Sequence, residues 1–420
     1  MDFEAFRAEQ AAQLRARLQV VLAHPNDVQS IVDALVSAIC AGDAHNEQVL
    51  ARGLFPGAPH VTPMQIAPIV LLQDWCAENN ARYCVTHPPR VVKIFAASKY
   101  ATSFEYVTKP LEYGEIADAQ IVPGWDQVIA PDGRVIADTH FIFADSMQTP
   151  KVRLIKAEML LPQAGATLFY AANATARIDG DVFFLSAPYN HFGHFMVDFL
   201  PRLLASELVE GSESWKLAVP DNLPAKWIEG IKMMGFDEER ILKLRIDTRY
   251  ACERLHVFKI GSSPSHPVHP DLMRYLRSKL YPETMSPCRG KRYFLERGAV
   301  GTRLVANAAE FGALLDAEGF TRVDVATLSL TDQQKLLADA EIIMGPFGSN
   351  LFAVFFAPPG ATLINIMGEH RGDNIVQHVC HMIGVKYQLL LSKLAVPSDR
   401  DPDVIVDCGE LQRRLSELSH

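Results

Sequence analysis

The chain has 420 residues, 49% of them hydrophobic and 21% charged, with a formal net charge of −9. That length predicts two or three domains rather than one core, and the composition excludes a disordered chain. The negative balance excludes a general nucleic-acid binder, which needs a dense basic face to displace counterions.

The cysteines stand as singletons with no CxxC pair, a pattern that suits neither a disulfide framework nor a zinc ribbon. The opening "MDFEAFRAEQ" is acidic and amphipathic and lacks an apolar h-region. No apolar run approaches the roughly 20 residues of a membrane helix. A cytoplasmic protein is expected, with any membrane contact peripheral and at the inner face.

In chain order, Phe3, Phe6, Leu14, Leu18 and Val21 recur at helical spacing, and Asn26-Asp27 gives the cap signal for a second helix over 26–40. "RGLFPGAPHVTP" reads as a linker, so residues 1–60 form a helical extension suited to packing or homo-oligomerisation. From 67 to 185 the text is strand-rich, with Pro-Asp-Gly and Asp-Gly-Asp predicting hairpin turns. After 187 strands alternate with helices. "WKLAVP", "RILKLRI" and "ERLHVFKI" predict strands, and a helix is expected at 270–280. "GSSPSHPVHP" is a loop, and "YPETMSPCRGK" resembles an interdomain connection. From 291 a βα series with short connections runs through "RYFLER", "RVDVA", "EIIMG", "ATLINI" and "KYQLLL", which predicts a parallel sheet covered on both faces. The tail 404–418 ends in a helix.

Three stretches carry chemistry-bearing residues. In "AEIIMGPFGSNLFAVFFAPPGATLINI" a buried strand ends in Gly345-Pro346-Phe347-Gly348, and a helix is predicted from Ser349-Asn350. Glycines admit close backbone approach and a helix start offers N–H groups, which favours a phosphate or diphosphate; a plain strand-to-helix turn accounts for the glycines equally well. Arg297 lies at the carboxyl end of the predicted strand "RYFLER", with Arg303 before a helix. The two could clamp a diphosphate bidentately or be solvated surface arginines. In "APYNHFGHFMVDFLPRLL", capping by Asn190 would set His191, His194 and Asp198 on one helical face, with a kink or end near Leu200 forced by Pro201. Such a face suits a general base oriented by a carboxylate. Zinc held by the HxxH spacing and a satisfied core histidine, the latter fitting His191 better than His194, are the alternatives. His266 with His269 and His378 with His381 carry little weight.

Together, "YNHFGHFMVDFLPRL", "YFLERGAVGTRLVANAAEF" and "LSLTDQQKLLADAEIIMGPFGSNLFAVFFAPPGATLINI" resemble glycosyltransferase family 61, of the capsular polysaccharide biosynthesis type, over roughly 110–392. The resemblance implies an α/β fold of the GT-B kind: two facing Rossmann-like domains around a central cleft, here with the N-terminal helical extension. It divides the chain into the extension 1–60, an acceptor-side α/β domain 61–286, a nucleotide-sugar-binding domain 287–393 and a tail 394–420. It implies inverting transfer of a sugar from a nucleotide-sugar to a glycan or glycoconjugate hydroxyl. His194 and Asp198 match the family's H and D and Pro201-Arg202 its P-R, Arg202 being assigned to support structure. Arg297 matches a strand-end arginine. Arg303, Asn307 and Glu310 match a helix-start pattern, Gln333 or Gln334 a glutamine, and Gly345, Pro346 and Gly348 the glycine loop. The pattern departs at Phe347, where the family usually has histidine, at Ser349-Asn350 in place of Ala-Gly, and at Leu351-Phe352-Ala353.

The expected catalytic residues are thus His194 and Asp198. The donor and phosphate contacts are Arg297, Arg303, Gly345, Pro346, Gly348, Ser349 and Asn350. No metal and no other cofactor is expected for the transfer that the resemblance implies. The alternatives are a catalytically inactive relative that binds or scaffolds glycans, a metal-dependent hydrolase built on His191, His194 and Asp198, and an assembly protein acting mainly through residues 1–60.

Overall fold

The structure, a computed structural model, describes residues 3–24, 28–54, 64–94, 103–125, 127–139, 159–161, 166–170, 175–185, 191–260, 268–281, 290–298, 301–369, 374–396 and 402–418. The Asn26-Asp27 cap, Asn190, His266, most of the Gly/Pro-rich stretch after Arg52 and the domain boundary at 286/287 lie outside the described residues.

The chain is mixed α/β and built mainly on two sheets. In the first, four parallel strands run side by side in the order Ile241–Leu244, Lys216–Pro220, Thr175–Phe184 and Arg249–Lys259. Leu111–Ala117 extends this sheet antiparallel, with Tyr83–His87 beyond it. In the second, Phe320–Val323, Lys291–Leu295, Ala340–Pro346, Thr362–Gly368 and Lys386–Leu394 are parallel throughout, and Val404–Ile405 closes the edge antiparallel. Both patterns follow from apolar strands buried on two faces by intervening helices.

In each parallel set the strand order reverses once. The reversal lies between Thr175–Phe184 and Arg249–Lys259 in the first sheet and between Lys291–Leu295 and Ala340–Pro346 in the second. Crevices outside the carboxyl ends at such reversals are where open α/β sheets bind ligands. The histidine segment leaves the first reversal; Arg297 and the glycine loop leave the second.

One hydrophobic core takes residues from both sheets, from Tyr113, Phe183 and Phe195 to Tyr293, Leu351 and Leu363. Helix Ala225–Met233 joins the halves. Its Trp227 stacks on Phe195 with centroids 4.5 Å apart, and a Cβ at its Gly230 would lie 3.0 Å from Phe195 and 3.1 Å from Leu330. Its Glu229 accepts from the Leu330 and Thr331 amides, each at 2.8 Å, and so caps helix Leu330–Leu337 across the seam. Burial alone pushes Glu229 up, but the Thr331 hydroxyl and the two amides outweigh it and hold the carboxyl below its ordinary value. A depressed carboxyl stabilises the fold above its unfolded pKa, and that contribution fades as pH falls through the folded value. Glu229→Ala is therefore expected to cost about 1 kcal/mol near neutrality, a typical cap loss. In urea titrations the difference from wild type should shrink below the ordinary carboxyl range; a penalty independent of pH would contradict the capping role.

Several predicted elements change on inspection. Asp179-Gly180-Asp181 does not turn a hairpin: it is a bulge inside the single strand Thr175–Phe184, where the register shifts between Ile178 and Asp181 and Gly180 takes φ +83°. Pro131-Asp132-Gly133 does turn, with Gly133 at φ +85°. The extension holds a third helix, Ala44–Leu54, which runs into the stretch read as linker. Its apolar faces pack internally, Val32, Leu35 and Leu50 meeting Ala67, Ile129 and Val135 of the first sheet. The tail is built into the second sheet's far face through Val404, Leu411 and Leu415.

Candidate active site

The histidine segment forms one turn of α-helix at Phe192–His194, a π turn at Phe195–Phe199 and a 3₁₀ turn at Leu200–Leu204. Pro201 has no N–H to donate into the preceding turn, and the wider π turn absorbs the mismatch just before it, so the predicted break near Leu200 takes this form. The capping residue is His191. With φ −131° and ψ 115°, His191 stands outside the helix, and its Nδ1 accepts from the His194 amide at 3.4 Å. The predicted three-residue face is therefore a pair with a separate cap.

In that pair His194 Nδ1 lies 2.8 Å from Asp198 Oδ2, one turn on. Asp198 is 5% exposed and His194 31%, so the carboxylate is a fixed support and the imidazole reaches solvent. An Nδ1–H donated to the carboxylate leaves Nε2 as the acceptor, the arrangement of an oriented general base. Arg202 is buried and its Nε donates to the Asp198 carbonyl at 3.0 Å. It ties the turn to the Asp198 carbonyl.

At the second reversal, Arg297 is buried at the end of strand Lys291–Leu295. Its Nε donates to the Thr302 carbonyl at 2.9 Å and its Nη1 to the Phe347 carbonyl at 3.1 Å. Arg303 donates to the same Phe347 carbonyl at 3.0 Å, and its guanidinium sits 5.7 Å from the Phe347 ring centroid. Arg303 takes φ +58°, a left-handed conformation costly for a side-chain-bearing residue, so the surroundings hold it there. Both arginines are thus drawn onto the glycine loop.

The loop itself differs from the predicted helix start. Ser349–Phe356 is a 3₁₀ helix, and the Leu351 amide already donates to the Gly348 carbonyl at 3.1 Å, which removes it from any anion-binding set. Gly348 has φ 169°, ordinary extended backbone. It is glycine for space: a Cβ there would collide with Arg297 Nη1 and lie 2.9 Å from Asn350 Oδ1. At Gly345 a Cβ would come 3.0 Å from the Leu295 carbonyl of the neighbouring strand. Asn350 Nδ2 donates to that carbonyl at 3.3 Å, while its Oδ1 is buried with no protein donor.

The two constellations meet. A Cβ on Gly193 would lie 2.8 Å from Phe352 of the 3₁₀ helix, so the histidine turn sits against the glycine-loop segment. Burial first, then His194, Arg303 and Arg297, push the His191 pKa below its ordinary value. The other motif matches serve the frame. Asn307 bonds both backbone groups of Val406, Gln333 holds the Val325 carbonyl at 2.8 Å, and Gln334 holds that of Leu280. His269 caps helix Pro270–Leu280, and His378 stacks on Tyr106. Among the described residues no three His, Cys, Asp or Glu side chains gather as a metal-ligand set. Among them, too, no helix is long and apolar enough to cross a membrane.

Sequence reasoning missed the capping role of His191 and the Glu229 bridge. The first was hidden by the better capping residue one position earlier; the second joins residues about a hundred positions apart and has no local signal.

Residues 192–364 match the family model described as Glycosyltransferase 61. The matched span opens at the histidine turn and closes within strand Thr362–Gly368, so it takes in both constellations, and it supports a glycosyltransferase. No match was found among the curated proteins.

Proposed function

We propose that the chain transfers a sugar, with inversion, from a nucleotide-sugar to a hydroxyl of a glycan or glycoconjugate, without a metal, in the cytoplasm and in polysaccharide assembly of the capsular type. The observation that carries this reading is the meeting of two sheet reversals, one bearing an oriented His–Asp pair and the other an arginine pair folded onto a glycine loop. The architecture is read as GT-B, residues 61–286 serving the acceptor and 287–393 the donor.

In this reading His194 Nε2 takes the proton of the acceptor hydroxyl while Asp198 holds Nδ1–H and balances the imidazolium. The acceptor oxygen bonds to the anomeric carbon, the bond from that carbon to the phosphate oxygen breaks, and its electron pair leaves on the nucleoside diphosphate. Arg297 and Arg303 stabilise that developing charge. Gly345, Pro346, Gly348, Ser349 and Asn350 line the approach, Asn350 Oδ1 accepting from a ligand hydroxyl.

The test is a thermal-shift screen of nucleoside diphosphates and nucleotide-sugars, since a ligand selective for the folded state raises the midpoint. At least one nucleotide series should raise it, with the matching nucleotide-sugar giving transfer to a glycan hydroxyl. Binding without transfer or hydrolysis would favour the inactive glycan-binding alternative, and no shift by any nucleotide would overturn the reading.

A further inference from the structure

His191 belongs neither to the His194–Asp198 pair nor to the arginine pair, yet it stands where they meet. We propose that His191 is a third hydrogen-bond donor to the donor substrate's diphosphate, presenting its Nε2–H beside Arg297 and Arg303; this rests on the transferase reading. The ring is oriented by its own chain. Nδ1 is turned to the His194 amide, and ring atom Cε1 would lie 3.1 Å from a Cβ on Gly193. Gly193 thus leaves room for two rings at once, His191 on one side and Phe352 of the glycine-loop segment on the other.

With Nδ1 accepting, a neutral imidazole carries its proton on Nε2. Burial, His194 and the two guanidiniums all disfavour a second proton. That suits the chemistry: a neutral N–H adds a donor to a phosphate oxygen without adding a cation that the arginines would repel. His191 retains solvent exposure, so a ligand can reach it.

Two substitutions separate donation from capping. His191→Asn keeps a side-chain acceptor suited to the cap but has no group at Nε2. His191→Gln carries an amide N–H out to about that position and gives up the cap. Calorimetric titration with inorganic diphosphate, and with a panel of nucleoside diphosphates, reads affinity; urea titration reads stability. His191→Asn should keep wild-type stability and bind inorganic diphosphate about tenfold more weakly, as the loss of one hydrogen bond to a charged group implies. His191→Gln should lose stability and retain more of the affinity. Wild-type affinity in His191→Asn, with only stability lost in His191→Gln, makes His191 a cap alone and overturns the proposal while the transferase reading stands. If wild-type protein binds neither inorganic diphosphate nor any nucleoside diphosphate, the donor-site reading fails and this proposal fails with it.

Discussion

Alanine at His194 should lower sugar transfer by about 10²–10⁴-fold, the usual worth of a positioned general base, while nucleoside-diphosphate affinity stays near wild type. The separation follows from geometry: His194 acts from the first sheet's reversal and the arginines from the second. Asp198→Asn should cost a similar order in kcat for a different reason. Its amide can present an N–H to Nδ1, which turns the imidazole to the wrong tautomer and leaves Nε2 protonated and unable to accept. Because the two residues act as one unit, the double variant should be little worse than either single one. The readouts are single-turnover transfer and calorimetric binding on the same preparations. Full transfer by both single variants would remove His194 and Asp198 from the chemistry.

The βα rhythm after residue 291 was legible because its central strands, Ala340–Pro346 and Thr362–Gly368, are short apolar runs buried on both faces and followed by glycine or charged turns. The Ser329 hydroxyl accepts from the Asp332 amide at 3.0 Å and so caps helix Leu330–Leu337. The His–Asp pair was legible for the same local reason: residues four apart on a helical stretch face the same way whether the turn is α or slightly widened. Properties set by distant chain were not. Gly348 reads in sequence as backbone freedom for a ligand, whereas its space is filled by a guanidinium from another strand. Arg297 and Arg303 read as a free clamp, whereas both are held by one carbonyl. The fusion of the halves through Trp227, Gly230 and Glu229 depends on a helix pair that no periodicity links. The residues with chemistry were thus visible locally, while what orients each was written elsewhere in the chain.

Gly348→Ala should reduce nucleoside-diphosphate affinity by about 10- to 100-fold, although the substitution deletes no hydrogen-bonding group. The backbone tolerates alanine there, so the penalty comes from the methyl group occupying the place of Arg297 Nη1. To make room, Arg297 must leave the Phe347 carbonyl, and a bond involving a charged group is worth about 1.5–3 kcal/mol. The displaced guanidinium no longer stands where the leaving diphosphate needs it, so transfer should fall with binding. A cycle with Arg297→Ala separates two reasons for the glycine. If Gly348 serves Arg297, adding Gly348→Ala to Arg297→Ala should change affinity little, because the clash partner is gone. If Gly348 instead lets a phosphate approach the backbone, the methyl group should cost the same with or without the arginine. The crowding seen here, with Arg297 Nη1 inside the space of the missing Cβ and Asn350 Oδ1 beside it, sets the expectation of strong coupling. Additive losses, measured by titration of the same nucleoside diphosphate into all four proteins, would overturn it.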